Sequence, residues 1–461
     1  MLEDCRIRAG RGFPGIKARC GTFERLENPA DPNSPLIELF VAVVPALNLE
    51  PEPDPFVPIA GGPGQASSEF YAAYSRAFEM VRRNRDIVLL DQRGTGKSAA
   101  MDCETDEEII EGVFSREQTI ADTEACLEQL PHDPRFFTTS VAVRDLEALR
   151  EALGYPQLNL YGVSYGTRVA QHFLRRYPES TRTVILDGVV PPQLALGPGI
   201  AVEAQNALEA IFDRCAESED CAAAFPDIRE EFGTLHAALA DEPVVITLPN
   251  PLSGIPEEIR FGRQEMAAAL RLLSYHPNSV AIMPVLINEA IEGNFAPLAA
   301  QYMMIAESMS DALNLGMHNA VVCTEDAPFF ARENVERDAL DATYIGPVQL
   351  DALEAICSVW PAGMLDDQFR TPLSTDVPVL LLSGEADPIT PPRYAELAAV
   401  DFSNARLLTG HKQGHGLAPR GCMPDVIAEF VETADPQSLE VDCLERLFAM
   451  PFFLDFAGPS E

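Results

Sequence analysis

The chain has 461 residues, 47% of them apolar and 23% charged, the composition of a globular protein too large for one compact core. Its 71 acidic residues against 33 basic ones give a formal charge of -38, a field that repels nucleic-acid backbones and anionic lipid surfaces. Charges and prolines interrupt every apolar stretch before it reaches membrane-spanning length, so neither nucleic acid nor membrane is an expected partner.

Met1 to Gly10 contains no basic segment followed by an apolar one, hence no secretory leader, and the expected explanation is a mature chain with a start methionine supplied by cloning. From Leu36 to Leu47 the chain is almost continuously apolar with β-branched residues. Acidic, proline-rich Glu50 to Pro55 follows, and then Phe56 to Ala60, which reads as strand, turn, strand. Ile87, Val88, Leu89 and Leu90 form a run suited to a strand buried on both faces, as parallel sheets require. Ala142, Leu146, Leu149 and Leu153 fall on one helical face, and Gly154 and Pro156 stop that helix. Leu158 to Tyr161 is the next strand, Tyr165 to Tyr177 a helix closed by Pro178, and Thr183 to Leu186 another buried strand.

After Pro191 and Pro192 the pattern turns helical from Ile200 to about Asp366, with Val244 to Leu248 the clearest exception. Val377 to Leu382 restores the buried-strand pattern, Arg393 to Val400 reads as helix, and Ala405 to Leu408 as one more short strand. The alternation predicts an α/β chain with a mostly parallel central sheet flanked by helices. The expected organisation is a core in two parts, residues 1–192 and 376–461, with a mostly helical cap inserted at 193–375.

The ten cysteines fall into sequence-local couples: Cys5 with Cys20, Cys103 with Cys126, Cys215 with Cys221, Cys323 with Cys357, and Cys422 with Cys443. None has zinc-ligand spacing, so no metal is expected, and disulfides formed in an oxidising compartment are the better use. The pairing itself stays open at this level. A secreted or periplasmic protein is the expectation.

Gly162-Val163-Ser164-Tyr165-Gly166 matches G-x-S-x-G and lies between a strand and a helix, where a sharp turn lifts a serine hydroxyl above the sheet. Such a serine needs a base, and a base needs an orienting acid, in the chain order serine, acid, histidine. Asp387 follows the strand end at Gly384, with Glu385 as its rival. His415, between Gly414 and Gly416, supplies the imidazole, with His411 as rival; His132, His172, His236, His276 and His318 precede the acid and read as surface or core residues. Gly61-Gly62-Pro63-Gly64 follows a strand, so Gly62 with the N–H of Tyr165 can form an oxyanion hole. Asp91 to Gly96 lacks the spacing of a phosphate loop, and Arg93 is expected to fix neighbouring loops.

Together these pieces resemble the proline iminopeptidase and tripeptidyl aminopeptidase branch of the α/β-hydrolases, through Gly61 to Gly64, Asp91 to Ser98, Gly162 to Thr167, Asp187 to Pro192, Asp387 and Gly414 to Gly416. The cysteine content is closer to the secreted tripeptidyl type. The resemblance implies the α/β-hydrolase fold and a serine exopeptidase without cofactor. Its substrates would be peptides with free amino termini, from which it removes single residues to tripeptides. It also implies acidic cap residues that pair the substrate's α-ammonium group, for which Glu325 and Asp326 are the candidates. Proline iminopeptidases usually have histidine before the paired glycines, whereas Ala60 stands here, which weakens strict proline specificity. A carboxylesterase with the same triad is the alternative. Oligomeric state is not legible.

Overall fold

A computed structural model of the protein describes residues 2–10, 14–103, 114–251 and 253–459; Met1 lies outside them. Its strands are β1 (Glu3–Ile7), β2 (Ile16–Leu26), β3 (Leu36–Val44), β4 (Phe56–Ile59), β5 (Ile87–Leu90), β6 (Leu158–Val163), β7 (Thr181–Asp187), β8 (Val244–Pro249), β9 (Pro256–Phe261), β10 (Val379–Gly384) and β11 (Ala405–Gly410). Nine of them form one sheet in the order β1-β2-β3-β5-β4-β6-β7-β10-β11. The first three run antiparallel to their neighbours, and from β5 to β11 every pairing is parallel.

The central parallel strands β4, β5, β6 and β10 are largely apolar because both of their faces are covered. Along β6 the side chains alternate: Leu158 and Leu160 pack with Val143, Leu149, Val169 and Phe173 on one face. Tyr161 and Val163 pack with Phe70, Phe78, Ile427 and Phe430 on the other. β1 and β2 were not foreseen. Their outward residues are charged and exposed, as is usual near a sheet edge, so the apolar alternation that marks a strand is faint there.

Residues beyond β7 form helices Ile200–Glu217, Ile228–Asp241, Arg263–Leu273, Pro277–Ile291 and Ala296–Ala312, and the β8–β9 hairpin extends the strand expected at Val244. These elements share a hydrophobic cluster of their own, with Leu208, Phe212, Phe232, Leu270 and Leu286 at its centre. Helix Leu315–Glu325 behaves differently: Met317, Ala320 and Val321 pack into the cluster beneath the main sheet. Phe452, beyond β11, joins the cluster around Leu208 and Phe212, and the Phe453 amide donates to the Ala281 carbonyl at 2.9 Å.

Five disulfides join the five sequence-local couples named above. Among the described residues no helix is long and apolar enough to cross a membrane. Arg93 fixes loops as expected. Its buried guanidinium makes a two-point pair with Asp145 at 2.7 and 3.0 Å and donates to the carbonyls of Glu27 and Phe136 at 2.9 Å each.

Candidate active site

The turn after β6 places Ser164 at φ 55°, ψ -125°, a left-handed backbone rarely adopted by a side-chain-bearing residue. The surroundings enforce it. The Ser164 amide donates to the carbonyl of Asp187 at 2.9 Å, and Thr167 donates its amide and hydroxyl to the Ser164 carbonyl at 2.9 and 2.6 Å. Gly166 has to be glycine, since a Cβ there would stand 2.3 Å from the Ile59 carbonyl oxygen. Tyr165 opens helix Tyr165–Arg176, so its N–H has no acceptor within the helix.

Asp387 lies past the end of β10 and its side chain is wholly buried. One oxygen accepts the amides of Ile389 and Thr390 at 2.9 Å each; the other accepts the Thr390 hydroxyl at 2.7 Å and His415 Nδ1 at 2.8 Å. Burial pushes its carboxyl up, but the His415 imidazole and these hydrogen bonds outweigh burial and hold it below the usual aspartate value. For His415 the signs reverse. Burial pushes the imidazole down, and the Asp387 charge and hydrogen bond raise it above its ordinary value. The ring is seated edge-on against Tyr275 at 5.1 Å, and the His415 amide donates to the Tyr275 carbonyl at 2.8 Å.

Ser164 and His415 line one cavity of about 760 Å³. Gly61 and Gly62 also line it, as do Arg271, Tyr275, Met304 and Leu313 from the helices that follow β9. His415 Nδ1 is turned to Asp387 and Thr390, and no hydrogen bond joins the ring to Ser164 Oγ. Gly62 is at φ 103°, where a Cβ would stand 2.8 Å from the Gly64 amide nitrogen. Asn314, which opens helix Leu315–Glu325, braces the glycine loop: its amide donates to Gly64 O at 3.1 Å, and its side chain accepts the Gly96 amide at 2.9 Å.

Comparison with known proteins finds that the profile of the alpha/beta hydrolase fold matches residues 54–210, which contain the glycine loop and Ser164. A second profile, described as TAP-like protein, matches residues 342–443, which contain Asp387 and His415. The chain belongs to the α/β-hydrolases. This hydrolase is 27% identical over 412 residues to the YuaR protein of Escherichia coli (strain K12), covering 85% of this chain and 79% of the other. It is 25% identical over 437 residues to the tripeptidyl aminopeptidase of Streptomyces coelicolor (85% and 76%). Against the serine protease Hip1 of Mycobacterium tuberculosis it is 25% identical over 421 residues (80% and 77%).

Within this hydrolase Glu325 and Asp326 do not line the cavity. Both are buried and committed to other partners. Glu325 accepts the Thr139 amide and hydroxyl at 2.7 and 2.9 Å, and Asp326 pairs with Arg168 at 2.8 Å and accepts the Leu196 amide at 2.9 Å. The sequence expectation that they meet a substrate ammonium group is therefore corrected: they join helices Thr139–Leu153 and Tyr165–Arg176 to helix Leu315–Glu325. The rivals of the triad, Glu385 and His411, pair with each other at 2.6 Å on the surface. His276 and His318, read as surface or core histidines, line the cavity. Thr390 and Asp187 were missed: Thr390 stands only three residues after Asp387, in a loop with no recognised pattern, and Asp187 meets partners 230 and 231 residues away.

Proposed function

We propose that this hydrolase is a serine peptidase acting through an acyl-enzyme on Ser164, and that it removes single residues to tripeptides from free amino termini. One observation carries the reading: a serine held in a left-handed turn shares a cavity with an imidazole whose Nδ1 is bound to a buried carboxylate. The names of the Streptomyces and Mycobacterium relatives support the peptide substrate.

Asp387 holds the Nδ1 proton of His415, which leaves Nε2 free to take the proton of Ser164 as the hydroxyl attacks the scissile carbonyl. The amides of Gly62 and Tyr165 stabilise the oxyanion, His415 returns the proton to the departing amine, and a water activated by the same ring releases the acyl group. The raised pKa of His415 suits the imidazolium that forms midway. Five disulfides fit a secreted or periplasmic site of action.

A carboxylesterase is the second reading, and a specific observation favours it: among the described residues no aspartate or glutamate lines the cavity to pair an ammonium group. Rates on a peptide anilide with a free amino terminus, its acetylated form and a short-chain ester separate the two. An aminopeptidase loses most of its rate on acetylation. Ser164→Ala should lower every one of these rates by at least about a thousandfold, and a variant that kept its activity would remove Ser164 from the mechanism.

A further inference from the structure

The cavity above Ser164 is electrostatically unlike the rest of the molecule. The chain carries 71 acidic residues, yet among the described residues none lines this cavity, while Arg271 does. The fully buried arginines are matched: Arg85 pairs with Asp54 at 2.9 Å, Arg93 with Asp145 at 2.7 Å and Arg168 with Asp326 at 2.8 Å; half-buried Arg214 packs on the Phe452 ring and half-buried Arg420 donates to His276, whereas half-buried Arg271 faces the cavity. Arg271 has no carboxylate within 4.0 Å among the described residues, and its buried Nε has no hydrogen-bond partner. Among the described residues its guanidinium makes one hydrogen bond, a long one, from a terminal nitrogen to the Tyr275 hydroxyl at 3.4 Å.

The neighbouring groups extend this donor character. His276, also in the lining, accepts from Arg420 through Nδ1 at 2.9 Å, so its ring proton resides on Nε2. Burial, Arg420 and His415 together push that imidazole down to about 4, which keeps it neutral at physiological pH. Arg271, Tyr275 and His276 thus present donors along one helix end, and Tyr275 is the residue against which the His415 ring is seated.

We propose that Arg271 is a specificity residue that binds a carboxylate of the substrate close to the scissile bond. The proposal rests on the serine-hydrolase reading of Ser164. A guanidinium fork half-removed from water, without an internal counter-charge, gains most from a two-point pair with a planar anion. In a peptide that anion is an aspartate or glutamate side chain beside the cleaved bond, or the terminal carboxylate of a short departing fragment.

Matched substrates differing by one charge test it. The pairs are glutamate against glutamine at each residue flanking the cleaved bond, and a free against an amidated carboxyl terminus where one residue departs. Wild-type kcat/KM is expected to favour the charged member of one pair by about ten-fold or more, and the pair concerned tells a side-chain from a terminal carboxylate. Arg271→Gln should bring that ratio close to one, and Arg271→Lys should keep part of it. Equal rates for both members of every pair in the wild type overturn the assignment without needing any variant to fold, as does a preference that survives in Arg271→Gln. Failure of the hydrolase reading looks different, since no peptide or ester is then turned over. Calorimetric binding of the same pairs to the intact protein would then decide on Arg271 by the same ratio.

Discussion

The carbonyl of Asp187 receives the Ser164 amide at 2.9 Å, while its carboxylate receives the amides of Leu417 and Ala418 at 2.8 Å each and the Tyr161 hydroxyl at 2.8 Å. One residue at the end of β7 therefore ties the serine turn to the loop that carries His415. Asp187→Asn keeps the shape but sets an amide donor against one of those donors. The expected cost is about 1–3 kcal/mol, read by urea unfolding, together with a fall in kcat larger than any change in KM. An unchanged kcat would mean that the histidine loop keeps its place without that carboxylate.

The pH profile should report the Asp387–His415 pair. His415 has to be neutral to accept the serine proton, and its pKa is raised because the aspartate outweighs burial. The acid limb of kcat/KM is therefore expected above the ordinary histidine value of about 6.5. In Asp387→Asn the raising partner is gone, so the limb should shift to lower pH while kcat drops about 10³- to 10⁴-fold. A limb that stays in place would assign it to another group.

Glu325 should make stability depend on pH in the direction opposite to an ordinary paired carboxylate. Burial raises its pKa to about 8, with the Arg168 charge and the Thr139 hydrogen bonds only partly opposing. The folded state keeps the proton after the unfolded chain has released it. Its stabilising contribution is full below the unfolded value near 4.5 and is lost as pH rises towards about 8. In Glu325→Gln this decline should flatten, as measured by Tm across that range, whereas an identical Tm profile would contradict the raised value.

Thiol titration of the unfolded, unreduced protein should find none of the ten cysteines free, and reduction should lower Tm. Cys323–Cys357 spans 34 residues, so replacing both cysteines by serine should cost about 2–4 kcal/mol by chain entropy. Close to ten titratable thiols would remove the argument for an oxidising compartment.

The parallel strands were legible because double-sided burial writes itself as an apolar run, and Ile87 to Leu90 needed no tertiary information. The turn at Ser164 was legible for a similar reason: its geometry is encoded within five residues and two flanking elements. Asp187 was not, since its carboxylate meets an amide 230 residues later in the chain. Glu325 and Asp326 misled because an acidic pair in a cap-like stretch looks available, whereas the Arg168 that claims Asp326 stands 158 residues upstream. Helix Leu315–Glu325 is apolar around much of its circumference, so periodicity could not say which of two cores it joins.

The stretch at Phe452 and Phe453 packs back onto the helices between β7 and β10. Arg214 lies 4.0 Å from the Phe452 ring centroid, and the Phe453 amide is bonded to Ala281, so the inserted helices are moored by a third stretch of polypeptide besides the two through which they enter and leave. Phe452 and Phe453 thus count among the residues that hold those helices together: Phe452→Ala removes a ring from their hydrophobic cluster and the cation–π contact of Arg214 in one change.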